Sequence, residues 1–146
     1  MNWELLVTGG VGVWGAALST YTAVARRNEK RRGIKVRFVV VYPTGAGGIG
    51  PAHFSVEAAN AGDRTTTLTG VGIALPRDKN IYVLRPQMVS FPCDLRSGQS
   101  VSELIVESEV RSQLRNEGFS GTVRLRGFYD DVFGAKHLSK PKTIEL

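Results

Sequence analysis

From Ile34 onward the chain alternates apolar and polar residues with period two, in short blocks that recur to its end. Ile34, Val36 and Phe38 fall on one side and Lys35 and Arg37 on the other, and an apolar run from Val39 to Tyr42 precedes Pro43. This predicts a strand that is half exposed at its start and more buried at its end. Residues 52–59 alternate again, with Phe54, Val56 and Ala58 opposite His53, Ser55 and Glu57, before the turn residues Asn60-Ala61-Gly62-Asp63. Thr65 to Leu75 is rich in β-branched residues, with Leu68, Val71, Ile73 and Leu75 as core positions. Gly70 and Gly72 interrupt that alternation and point to a bulge. Asn80 to Arg85, Ser100 to Val106 and Gly121 to Tyr129 read as further strands, and Asp130-Asp131 as the start of a loop ending near Gly134. A last strand runs from about Ala135 to Ile144, interrupted by Pro141. Glu107 to Asn116 is different: Val110 and Leu114 have helical spacing, and Gly118 supplies a stop.

About seven strands between Gly, Pro and Asn turns predict a mainly β fold, an antiparallel immunoglobulin-like or fibronectin-like sandwich. One short helix crosses between two late strands. The Cys…Trp…Cys signature of true immunoglobulin domains is missing, because Trp3 and Trp14 both precede this region and Cys93 stands alone.

Ahead of the alternating region the pattern is of another kind. Leu5 to Ala25 carries no formal charge. As a helix its 21 residues would measure about 31 Å, enough to cross the roughly 30 Å core of a bilayer. Arg26, Arg27, Lys30, Arg31, Arg32, Lys35 and Arg37 follow, opposed only by Glu29, whereas the N-terminal flank offers Glu4 and no basic residue. The positive-inside rule then puts the N-terminus out and the remainder in the cytoplasm, on the inner membrane. Two other readings compete. Ala23-Val24-Ala25 has the small-x-small form of a signal-peptide cleavage site, but the leading flank is acidic and the apolar stretch is long for one. A soluble core helix would fit the four glycines of residues 9–15, but would normally show a polar face. The division expected is an anchor over residues 1–26, a basic linker over 27–33 and a β-sandwich over 34–146. Within the anchor Thr8, Gly12, Ala16 and Thr20 recur every four positions, the spacing that lets membrane helices approach closely, so a homo-oligomer through the anchor is open.

The net charge of +6 belongs to the linker, since residues 38–146 hold 12 of the 19 basic and 11 of the 13 acidic residues. A nucleic-acid binder would carry its basic residues on the folded domain, so no nucleic-acid partner is expected. Arg26, Arg27, Lys30, Arg31 and Arg32 sit instead where anionic lipid headgroups would be, each worth about 1 kcal/mol near that surface. The lone Cys93 fits a reducing compartment.

The organisation resembles small uncharacterised bacterial membrane-anchored proteins with an immunoglobulin-like sandwich. The features that carry the resemblance are the anchor, the basic run, Asn60-Ala61-Gly62, the Phe91-Pro92…Leu95…Gly98 stretch, and Asp130-Asp131 before Gly134. It implies a fold and a setting, and it transfers no site residues.

Candidate chemistry is sparse. Gly45-Ala46-Gly47-Gly48-Ile49-Gly50 matches G-x-G-x-x-G after a strand, but a dinucleotide site needs those glycines to open a helix, and residues 52–58 alternate with period two. A solvent-facing interstrand loop is expected, with no cofactor. His53, His137 and Cys93 are dispersed singly, without zinc-type spacing. Asp94, Asp130 and Asp131 lack an EF-hand pattern. No nucleophile elbow is present, and no enzyme activity is expected. The expected function is a single-pass membrane protein that presents a cytoplasmic β-sandwich to an unidentified protein partner. The alternatives are an accessory subunit held in a membrane complex by its helix, and a nucleotide-sensing or enzymatic domain using residues 45–50.

Overall fold

Phe38, Val56 and Glu103 stand side by side on three neighbouring antiparallel strands, and that row passes through the middle of the structure. The computed structural model describes residues 33–146. The expected anchor, with Thr8, Gly12, Ala16 and Thr20, and the lipid-facing Arg26, Arg27, Lys30, Arg31 and Arg32 lie outside the described residues. Among the described residues no helix is long and apolar enough to cross a membrane.

The elements in chain order are β1 (Ile34–Val41), β2 (Thr44–Gly45), β3 (Gly48–Ile49), β4 (His53–Asn60), β5 (Thr66–Ala74), β6 (Asn80–Tyr82), β7 (Cys93–Leu95), β8 (Ser100–Val106), α1 (Glu107–Asn116), β9 (Thr122–Asp131), β10 (Lys136–Leu138) and β11 (Lys142–Glu145). One antiparallel sheet has the order β1-β4-β8. A second, larger antiparallel sheet has the order β10-β9-β5-β6, with β11 also on β9 and β7 also on β5. The two share one core. Phe38, Phe54, Val56 and Ala58 from the first sheet meet Leu68, Val71, Ile73, Leu125 and Tyr129 from the second. Mainly β architecture with one short helix is thus the fold, as the alternation implied.

Two contacts hold the sheets at their spacing. Gly127 lies on the core side of β9, where an added Cβ would come 2.7 Å from Val56 Cγ1 and 3.2 Å from Phe38 Cδ2, so only glycine permits this approach. The Tyr129 hydroxyl crosses the core and donates to the Val56 carbonyl at 2.8 Å. Burial, and then the nearby Glu103 carboxylate, push its phenol well above the usual range.

The helix matches its expected bounds, and its physics is local. Val110 and Leu114 are buried, Glu107 and Glu109 sit in the first turn, and Arg115 in the last, as the helix dipole favours. Gly118, at φ +86°, turns the chain so that its N–H reaches the Arg115 carbonyl and that of Phe119 the Leu114 carbonyl.

Several boundaries differ from the reading of the sequence. The strand expected over 80–85 ends at Tyr82; Val83 N–H still donates to the Val71 carbonyl at 3.0 Å, and residues 84–92 then leave the sheet edge for a loop held elsewhere. Asp130 and Asp131 do not begin a loop; both pair within the second sheet, and Asp131 is buried. The last strand is two, β10 and β11, separated around Pro141 and both hydrogen-bonded to β9. The bulge expected at Gly70 and Gly72 is a register shift between Leu68 and Gly70. Gly72 also allows a close approach: the Phe128 ring lies 2.7 Å from where its Cβ would be, on the outer face of the sheet.

Candidate functional site

An open cleft of about 590 Å³ lies where the β5–β6 turn, the end of α1 and the outer face of β9 converge. Three arginines line it. Arg124 and Arg126 are two residues apart on a strand and therefore share its outer face. Arg126 stands opposite Ala74 on β5, whose small side chain keeps the floor low. Arg77 comes from the turn. Leu75 N–H donates to the Lys79 carbonyl at 2.8 Å, and Arg77 and Asp78 both lie in the left-handed region, at φ 63° and 55°. Turn positions with such a positive φ are normally filled by Gly or Asn. Holding an arginine there costs on the order of 1 kcal/mol. Its guanidinium carbon sits 5.2 Å from the centre of the Phe119 ring.

No carboxylate lines the cleft, and among the described residues Arg77, Arg124 and Arg126 make no ion pair. Neighbouring charges are already matched: Lys79 pairs with Glu117 at 2.7 Å and Arg111 with Glu107 at 2.7 Å. The hydroxyls of Ser120 and Thr122 complete the lining. The arrangement is a field of positive charge and hydrogen-bond donors, suited to an anion.

A second constellation is structural. Glu103 is 1% exposed, on the core side of β8 between Val101 and Ile105. Its Oε1 accepts from Gln87 N–H at 2.8 Å, and its Oε2 from Met88 and Val89 N–H at 3.0 Å each. The carboxylate thereby ties the 84–92 loop to the sandwich while Leu84, 89% exposed, and Met88 face outward.

A third lies at the opposite end of β9. Asp131 Oδ1 accepts from Phe133 and Ala135 N–H, and its Oδ2 meets His137 Nε2 at 2.8 Å. Burial opposes ionisation, but His137 and the two amides overcome it and hold the carboxyl below its ordinary value. Asp130 beside it joins the Tyr82 hydroxyl at 2.9 Å and Lys136 at 3.4 Å, with the Lys136 ammonium 3.5 Å from the centre of the Phe128 ring.

Of the residues considered for chemistry, Asp131 and His137 come together in the pair just described, with Asp130 beside them; the others do not assemble. The glycine-rich stretch forms the small exposed hairpin β2–β3, closed by Gly50 N–H to the Pro43 carbonyl at 2.7 Å, and β4 follows it rather than a helix. A pyrophosphate would meet no helix N-terminus there. His53 Nδ1 is near the Pro51 carbonyl, Cys93 lies opposite Leu68, and Asp94 accepts from Thr67 Oγ1. Among the described residues no three His, Cys, Asp or Glu side chains could hold a metal. The cleft itself was missed because Arg77 is 47 residues from Arg124 in the chain. The available signals were Pro76-Arg77-Asp78-Lys79 between two strands and the Arg124/Arg126 alternation.

No protein-family model matches this chain, and no curated protein matches it. Among solved structures, the X-ray structure of Northeast Structural Genomics Consortium target SoR45 is similar at 12% identity and a TM-score of 0.39, over 78% of this chain and 87% of that one. A likeness of that degree carries no argument about fold or function.

Proposed function

We propose that this protein is a membrane-anchored, non-enzymatic binding module, an immunoglobulin-like sandwich presented in the cytoplasm to a protein partner. The observation that carries the reading is the position of the cleft relative to the point where the preceding segment joins. Gly33 accepts Ala61 N–H at 2.7 Å, and Asn60 Nδ2 donates to Leu95, which stands opposite Thr66 at the start of β5. From there β5 runs to Ala74 beside the cleft, eight steps of about 3.3 Å or roughly 26 Å. Within the described domain Gly33 and the arginine cleft thus lie toward opposite ends of β5, and the cleft is open to a partner.

Strand order supports the immunoglobulin-type assignment. The orders β1-β4-β8 and β10-β9-β5-β6 read as A-B-E and G-F-C with an added edge strand. The basic residues after Ala25 support the orientation.

The test is co-purification of the tagged full chain from mild detergent, as wild type, Arg124→Glu/Arg126→Glu and Gly12→Ile. A partner that is lost with the arginine pair and retained with Gly12→Ile is the expected result. Loss only with Gly12→Ile would replace this reading by that of an accessory subunit held through its helix. A C-terminal reporter found outside the cell would overturn the orientation.

A further inference from the structure

We infer that the Arg77–Arg124–Arg126 cleft recognises a phosphate monoester carried on a segment of a protein partner. The inference rests on the binding-module reading and names the chemistry of its site.

The charge balance selects the group. Three guanidiniums without a carboxylate among them suit a dianion better than a single carboxylate, and phosphate offers three oxygens to donors arriving from different directions. Arginine is the residue type for this task, because its planar fork presents parallel N–H pairs and loses little freedom on binding. Here the three forks come from two elements. Arg124 and Arg126 project from one strand, and Arg77 joins them in the cleft lining from the β5–β6 turn.

Arg77 is pre-organised. The Phe119 ring supports the guanidinium at 5.2 Å, while the Arg77 backbone is held in the left-handed region. A cation–π contact of this kind takes up no N–H donor, which stays available to an anion. An arginine kept at a position that favours Asn or Gly is a local strain, and Arg77 is exposed, so its contact with Phe119 is all that packing returns. Binding gives that strain a reason.

Shape selects the carrier. Sites for small molecules enclose most of the ligand surface, typically about 70–90%. This cleft is open along the sheet face. It can grip one charged group while the rest of the ligand passes on, with Pro76 and Pro141 among the lining offering apolar contact. Recognition of a phosphorylated residue by an arginine cluster has that form.

The experiment uses the full chain in non-ionic detergent at physiological salt. Fluorescence anisotropy is recorded with a labelled phosphoserine peptide pool, its unphosphorylated counterpart, and inorganic phosphate as competitor. The basic run before Lys35 also attracts anions, so the decisive readout is the site variants. The phosphorylated pool should bind about tenfold tighter than the unphosphorylated one, and Arg126→Gln or Arg77→Gln should each abolish most of that preference. Arg26→Gln/Arg27→Gln should leave the preference intact. An unchanged preference in Arg126→Gln and Arg77→Gln, with unaltered thermal unfolding, would overturn the inference. So would inorganic phosphate binding as tightly as the peptide, which would make the ligand a free phosphate compound. Phosphatase treatment of the co-purified complex separates this inference from the one it rests on. A partner that stays bound after dephosphorylation, yet is lost with Arg124→Glu/Arg126→Glu, would retain the binding module and remove the phosphate.

Discussion

The Glu103 carboxylate accepts the backbone N–H of Val89 at 3.0 Å, although Glu103 stands on the core side of its strand between two apolar residues. With Gln87 and Met88 also donating, three successive amides of an irregular loop are satisfied by one buried side chain. No buried side-chain nitrogen or oxygen among the described residues lacks a partner. The charge is therefore solvated by backbone dipoles in place of water.

Glu103→Ala removes that acceptor and leaves the amides to be satisfied otherwise. It should lower stability by about 2–4 kcal/mol, read by urea unfolding. Amide exchange at Gln87, Met88 and Val89 should accelerate well beyond the global change. Uniform acceleration throughout the sandwich would mean that the carboxylate does not clamp the loop.

Gly127→Ala places a methyl group 2.7 Å from Val56 Cγ1. The expected loss is about 1–3 kcal/mol, the usual cost of overpacking. Adding Val56→Ala should return part of it, so that the double variant is more stable than the two single losses would sum to. Strict additivity in the cycle would show that the sheets do not meet through this pair.

The Asp131 pair sets an acid limit on the hairpin between β9 and β10. Its carboxyl is depressed below the ordinary 3.8, with burial opposing and His137, Ala135 and Phe133 prevailing. A depressed carboxyl contributes stability that is present above the unfolded-state value and lost as pH falls through the folded one. Stability should therefore decline as the solution is acidified below the usual carboxylate range. His137→Ala should raise the Asp131 titration midpoint and move that decline to higher pH, followed by carbonyl NMR and urea unfolding at several pH values. An unchanged Asp131 midpoint in the variant would rule out this role for His137.

Asp78 occupies a left-handed position that glycine fills without strain. Asp78→Gly should raise stability by roughly 0.5–1 kcal/mol, the left-handed cost offset by glycine's extra unfolded entropy. Because Asp78 does not line the cleft, anion binding should persist. Thermal unfolding and the anisotropy assay check the two halves separately.

The sequence by itself determined what depends on near neighbours. Period-two alternation placed the strand that begins at Ile34 and the one read over residues 52–59, observed as Ile34–Val41 and His53–Asn60, because successive side chains must leave a strand on opposite faces. Spacing of Val110 and Leu114, with Gly118 behind them, delimited the helix, because its geometry and cap are set within one or two turns. An uncharged span followed by one-sided basic residues is likewise a property of consecutive positions. Tertiary structure decided what depends on distant ones. Nothing local marks Glu103 as core-facing, and only the return of residues 87–89 supplies the three amides that make a buried glutamate tolerable. Asp130 and Asp131 look like turn residues until the pairing of β9 with β5 and β10 extends the strand through them. Arg77 becomes a neighbour of Arg126 because β5, which ends beside Arg77, is hydrogen-bonded in register to β9, which carries Arg126. That register is selected by burying Val71, Ile73, Leu125 and Tyr129 together, a free-energy gain summed over both sheets that no local window of the chain contains.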